Sequence, residues 1–397
     1  MMMGISRSRP WLAAVAFPLL MAGCSSFSTS SMNPLNWFGS SSTNKPNELT
    51  EIKPTLPMTR AWSASVGGGG VYVFTPAIVG NTVYAAGADG SLAAFDAQTG
   101  APRWRVTADR AGLSAGVGAS DELVVVATVK GEVLAFDDKG REKWRTQVSS
   151  EVLGRPLVTD REVLVRSNDN RIFAFSVADG KRQWVFQRPP PALVLRNTGG
   201  MSASLGQAYV GFPGGKMVAL SLTNGTVRWE ATVAQSKGTT ELERIADVTS
   251  TPILSGREIC TVAFQGRAGC FDSNNGQPLW TRDLSSSAGL TLDERYIFLT
   301  DEKSAVVALS RGSGASLWKQ EKLLYRNVSA PASVGRAVIA GDYQGFLHAL
   351  SREDGSFIGR QPTDGTAIFG APQLLTVANK DGFVVQTQKG GIFVFTL

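Results

Sequence analysis

One histidine, His348, and three cysteines are all that the 397 residues offer of the common transition-metal ligands. A zinc site built on several imidazoles is therefore excluded, and so is any histidine-dependent triad that does not use His348. Charge is sparse, at 18%, and nearly balanced, with 39 basic and 33 acidic residues leaving +6. That surplus is too small to argue for a nucleic-acid partner. A helical 3.6-residue apolar pattern of useful length is also missing, which argues against a helical fold. What is plentiful is apolar residues, at 43%, and glycine, at 43 residues. Such a composition folds and turns often.

The first segment reads as an export signal. Arg7 and Arg9 precede an apolar run at residues 11–21. That run is too short for a bilayer, which needs about 20 residues, and suits a signal sequence. Leu20-Met21-Ala22-Gly23-Cys24 resembles a bacterial lipobox, with Met21 in place of the usual leucine. The resemblance implies cleavage before Cys24 and acylation of its thiol. Ser25 and Ser26 follow, with no Asp after the cysteine, and the resemblance to lipoproteins of enteric-type bacteria implies transfer to the outer membrane. Loss of Arg7 and Arg9 lowers the net charge from +6 to +4. Residues 24–58, rich in Ser, Thr, Asn and Pro, are expected to be a flexible tether with a reach of roughly 30–35 Å. The chain thus divides into a signal peptide (1–23), a tether (24–58) and one domain (59–397).

That domain repeats. A tryptophan follows a glycine by four residues at Gly100/Trp104, Gly140/Trp144, Gly180/Trp184, Gly225/Trp229, Gly276/Trp280 and Gly314/Trp318. A short apolar strand ends just before each glycine, at Phe95, Phe136, Phe175, Leu220, Phe271 and Leu309. Leu350 and Phe395 mark two further copies that lack the downstream tryptophan, Gly359 standing in its place in the seventh. Within a copy, Asp89-Gly90 is a hairpin turn, and Asp96 to Gly100 a turn whose aspartate can bond backbone amides. Four short strands in about 42 residues is the period of a β-propeller blade. The expected fold is all-β: an eight-bladed propeller of four-stranded antiparallel blades. The recurrent tryptophan is expected to plug the space between neighbouring sheets. Trp62 has no blade of its own upstream and the eighth copy has no tryptophan strand. The strand around Trp62 is therefore expected to pair with residues 391–397 and close the ring.

The Asp-x-x-Thr-Gly-x-x-x-Trp pattern, clearest at Asp96 to Trp104, resembles the repeats of pyrroloquinoline quinone enzymes. Those dehydrogenases hold the quinone with calcium and an adjacent cysteine pair. Here Cys260 and Cys270 stand ten apart, and no Asp-x-Asp-x-Asp-Gly calcium loop occurs. The run Gly67 to Gly70 has no following helix and no Lys-Ser/Thr, so it reads as a flexible connection and not a phosphate loop. Catalytic residues, cofactor and metal are all expected to be none. With the lipobox and a single propeller of this length, the chain resembles the BamB family, the propeller lipoproteins of the outer-membrane β-barrel assembly machinery. The resemblance implies a non-enzymatic scaffold, lipid-anchored in the outer membrane and facing the periplasm. It implies binding to the POTRA domains of the barrel-inserting subunit BamA, and help in handing over unfolded barrel precursors. The alternative is a periplasmic quinone-dependent dehydrogenase of the same architecture.

Two insertions lie side by side. Trp184 to the hairpin at Gly215 spans 31 residues and Trp229 to Gly266 spans 37, against 27 from Trp104 to Gly131. The first contains Pro189-Pro190-Pro191 and then Leu193-Val194-Leu195-Arg196. In extended chain Leu193 and Leu195 point to one side. From the residues alone, a buried inner strand of the blade suits these leucines. The resemblance implies partner binding by Leu193, Leu195, Arg196 and, from the second insertion, Asp247. The family's second acid is a threonine here, Thr249. Once Cys24 is acylated, Cys260 and Cys270 form an even pair flanking the turn at Gln265-Gly266, and a disulfide between neighbouring strands is expected.

Overall fold

The computed structural model describes residues 44–196 and 198–397. The signal peptide and Cys24 lie outside the described residues. Within them every regular element is a strand, and 32 strands form eight four-stranded antiparallel sheets. The first blade shows why. β2 (Ala77–Val79), β3 (Thr82–Ala86), β4 (Ser91–Asp96) and β5 (Pro102–Thr107) pair in chain order. β3 is buried along its whole length and β4 at all but its ends, because neighbouring blades cover both faces. Such strands are continuously apolar, whereas β5 at the perimeter is mostly exposed. Gly90 takes φ 90° in the β3–β4 hairpin, a conformation open to glycine. Asp96 then accepts bonds from the Gln98 and Thr99 amides, each 3.0 Å, which sets the turn into β5. The Arg103 guanidinium, then desolvation opposing it and the Thr99 bonds, leave the Asp96 carboxyl below its usual range.

Between β4 and β5 the register slips by one residue, so Trp104 faces Ala94 while Pro102 faces Phe95. The slip recurs beside the tryptophan position in the other blades. A bulge of this kind bends its strand and re-aims a side chain, here toward the next blade. There the indole lies on the turn glycine and donates to a carbonyl of the same turn. Trp229 donates to Ser273 O at 2.9 Å, and a Cβ on Gly276 would come within 2.5 Å of its ring. Trp62, Trp104, Trp144, Trp184, Trp280 and Trp318 meet Gly100, Gly140, Gly180, Gly225, Gly314 and Gly355 in the same way.

The ring closes as expected. β1 (Thr59–Ser65) pairs antiparallel with β32 (Gly391–Thr396), Trp62 opposite Val394, to complete the last sheet with β30 (Gln373–Val377) and β31 (Lys380–Gln386). One junction has no tryptophan, that of the seventh and eighth blades. Gly359 occupies the position, and Leu56 and Met58 fill the space against it. This changes the extent of the tether, expected to run to residue 58. The Thr55 and Leu56 amides both donate to Ile358 O at 2.9 Å, and Leu56 and Met58 are buried. Further up, Arg326 and Arg360 donate to the carbonyls of Asn47 and Thr50 at 2.9 and 2.8 Å. Residues 47–58 are a strap on the seventh blade, held because their apolar side chains supply what that blade lacks. Cys260 and Cys270 oppose one another on β19 (Glu258–Val262) and β20 (Arg267–Asp272), both fully buried. Their sulfurs are joined, with Cα atoms 4.1 Å apart.

Replacing Trp229 by Ala is expected to cost about 3–5 kcal/mol of unfolding free energy through the cavity it leaves. Gly276→Ala is expected to destabilise as well, since its Cβ meets the same indole. Urea unfolding followed by tryptophan-independent circular dichroism measures both. An unchanged midpoint in the two variants would refute the indole-on-glycine contact as the holder of that junction.

Candidate partner-binding rim

Strand alternation puts every connection between blades on one rim. The two insertions join β13 (Arg182–Gln187) to β14 (Met201–Ser204), and β17 (Val227–Thr232) to β18 (Ile253–Ser255). Asp247 fastens them together. Its Oδ2 accepts from the Leu195 amide at 2.7 Å and its Oδ1 from the Gly214 amide at 3.1 Å. The residue is 1% exposed. Asp247 thus acts inside the chain, in place of the direct partner contact expected for it. Beneath it lies Arg166, also buried, which donates to Gly211 O at 2.7 Å and to Asn170 Oδ1 at 3.0 Å. Burial pushes the Arg166 guanidinium down to about 10, the charge of Asp247 opposing the fall. It therefore remains charged at neutral pH and balances the acid.

On this base the first insertion displays its side chains. Leu193 and Val194 are exposed, at 44% and 38%. Leu195 is half-buried and lines a shallow cleft with Leu153, Arg166 and Asn170. The expected outward pair of Leu193 and Leu195 is thus an outward Leu193-Val194, since the bond from the Leu195 amide to Asp247 draws that residue in. Arg196 is half-exposed, bonded to Glu151 at 2.8 Å and stacked 5.3 Å above the Tyr72 ring. Desolvation, and then the Glu151 carboxylate, push the Tyr72 hydroxyl up. Val71, at 80% exposed, stands next to it.

Tyr72, Val71 and Glu151 were not legible as rim residues, because they come from two other blades. Their nearest signal was the glycine run at 67–70. It is no loose connection. Gly68 O accepts from the Ala88 amide and the Gly69 amide donates to Gln388 O, both at 2.8 Å. A Cβ on Gly67 would collide with Asp89. Close backbone approach, between the first and last blades, is what these glycines allow. In the second insertion, the Thr240 and Thr239 amides hold the Glu243 carboxyl down at about 2, and Leu242 beside it is exposed. Thr249 is 8% exposed and faces the propeller axis.

His348 is fully buried in the seventh blade. Its Nδ1 accepts from Arg360 Nε at 3.2 Å, so its Nε2 carries the proton and meets Asp342 at 3.0 Å. Desolvation lowers its pKa and keeps it neutral. Both ring nitrogens are engaged by charged groups, leaving neither for a nucleophile. A quinone with calcium needs oxygen donors with negative charge at the axis. Among the described residues the axial lining supplies hydroxyls, an amide, backbone and Arg155 but no carboxylate, so these residues do not fit such a group.

The family model described as outer membrane protein assembly factor BamB matches residues 88–320. A relative of that name from Bordetella pertussis is 42% identical across 99% of this chain and 98% of its own. The chain belongs to the BamB family. BamB from Moraxella catarrhalis superposes with a TM-score of 0.78 at 24% identity, covering 86% of this chain and 100% of that one. Quinohemoprotein alcohol dehydrogenase from Comamonas testosteroni superposes at 0.71 with 15% identity, over 85% of this chain and 76% of its own. That second likeness is one of fold. BamB family membership rests on the sequence match, which spans both insertions and therefore the rim.

Asp247→Ala should free the Leu195 and Gly214 amides and leave Arg166 buried without its acid. The expected cost is about 2–4 kcal/mol of stability, from two charge-assisted bonds and an unbalanced cation. Hydrogen exchange should show the Leu195 amide losing its protection. Protection equal to that of the parent would mean Asp247 does not hold the loop.

Proposed function

We propose that this chain is a non-enzymatic scaffold subunit of the outer-membrane β-barrel assembly complex, and that it binds the periplasmic POTRA domains of BamA through the rim. The observation that carries the reading is the pair of insertions pinned by Asp247, which hold an apolar Leu193-Val194 tip beside the half-exposed Arg196. An apolar centre with a charged surround is the usual anatomy of a binding hot spot. Leu193 and Arg196 make direct contact in this reading, and Leu195 and Asp247 set the shape of the loop. Lipid attachment at Cys24 keeps the propeller at the periplasmic side of the outer membrane, where unfolded barrel precursors pass.

Arg196→Glu removes the guanidinium fork and sets a second acid against Glu151. The expected loss of affinity for purified POTRA domains is about 2–4 kcal/mol, or roughly 30- to 1000-fold. A binding titration reads it, with circular dichroism confirming the fold. A Leu193/Leu195 double alanine variant should weaken binding too. Unchanged affinity in both variants would remove this rim as the interface.

Mass spectrometry of the mature amino terminus should find Cys24 carrying acyl chains. A mature chain beginning at Ser25, or one retaining residues 1–23, would refute the anchor.

A further inference from the structure

The segments that lead into the innermost strands of the eight blades surround a funnel of about 240 Å³ on the propeller axis. Small residues and hydroxyls make most of its wall, among them Thr75, Gly200, Thr249 and Thr251. Arg155 is the one charged side chain among the described residues that line it. It precedes β10 (Leu157–Val158) in the third blade and reaches inward between Gly116 and Gly200, glycines of the second and fourth blades. A Cβ on either would lie 3.7 Å from its stem, in ordinary contact, so the stem runs between these two segments.

The two buried arginines among the described residues have partners. Arg166 is bonded to Gly211 O and Asn170, and Arg326 is paired with Asp342 at 2.8 Å. Arg155 has no hydrogen bond or ion pair with any described residue, and surrounding protein alone depresses its pKa by desolvation. By accessible area its side chain is exposed, and it lines the funnel. Thr249 is a lining residue whose hydroxyl is buried without a partner. The Thr251 oxygen accepts from the Gly200 amide at 2.8 Å, which leaves its proton free to be donated. Glu302, a neighbouring acid, is already bonded to Ser285 and Ser287.

We infer that the axial funnel is a binding site for a small oxyanion, a carboxylate or a phosphate, with Arg155 as its anchor and the Thr249 and Thr251 hydroxyls as further donors. A planar fork of donors matches both groups in bidentate fashion. A volume of about 240 Å³ admits such an ion together with waters. The site uses none of Leu193, Val194 and Arg196, although Thr249 stands where the resemblance places the second acid of the partner-binding insertion.

Calorimetric titration of the purified full-length chain, at constant ionic strength, with inorganic phosphate and separately with acetate tests this. Saturable binding of at least one is expected, and the tighter of the two assigns the class. Arg155→Met should weaken it about 10- to 100-fold, the usual value of a charged hydrogen bond. Thr249→Asp, which places a carboxylate in the same funnel, should weaken it similarly while leaving Arg155 in place. Arg110→Met, on the exposed rim surface, should bind like the parent. No saturation with either anion, or saturation that survives both Arg155→Met and Thr249→Asp in folded protein, would overturn the site.

Discussion

An indole lying flat on a glycine holds this ring together. Each blade is a meander that cannot bury its own two faces, so stability depends on contacts between blades more than within them. The tryptophan covers a large apolar area and, through Nε1, satisfies a turn carbonyl that would otherwise be half-buried without a partner. The glycine is required twice over, by its positive φ and by the absence of room for a Cβ. Seven junctions use the pair. The eighth uses Leu56 and Met58, which explains why the seventh blade tolerates a glycine where its siblings carry tryptophan.

The rim depends on the same rigidity. Its loops have no strand pairing of their own, and a proline-rich arm in water would sample many shapes. Asp247 removes that freedom by taking two backbone amides from two different loops. Burying an acid is costly unless it is paired, and Arg166 supplies the balancing charge. The polar cost is thus concentrated below the surface, and the surface keeps exposed leucine, valine and arginine for contact. Arg196, bonded to Glu151 and stacked on Tyr72, gains its orientation from the first and third blades. Three blades shape one small patch.

The blade count, strand order, ring closure and tryptophan plugs were legible because they are periodic: a residue that recurs every 40 or so positions announces its environment. Leu193 and Arg196 were singled out as candidates only through resemblance to a family, since a short Leu-x-Leu run also suits an inner strand. Asp247 was named as a contact and proves to be a support, because charge in a sequence does not reveal whether it faces in or out. The strap left no signal, and the rim residues Tyr72 and Glu151 none beyond the glycine run at 67–70. Residues 47–58 look like linker by composition, and their packing follows from a deficit in the seventh blade more than 300 residues away. Arg155 is one of many arginines in the chain, distinguished only by where eight loops converge.

The strap has a mechanical consequence. A blade edge such as β1 is weakest when its hydrogen bonds are opened one at a time from an end. Tension applied on the amino-terminal side of Asn47 does not reach β1 first. It meets Arg326 and Arg360, which grip the Asn47 and Thr50 carbonyls, and Arg326 is itself locked to the buried Asp342. Next it meets Arg336 on Thr55 and the two amides bonded to Ile358. The strap works as a strain relief, like the clamp that keeps a pulled cable from working its terminals loose, and the closing strand of the ring is spared the load.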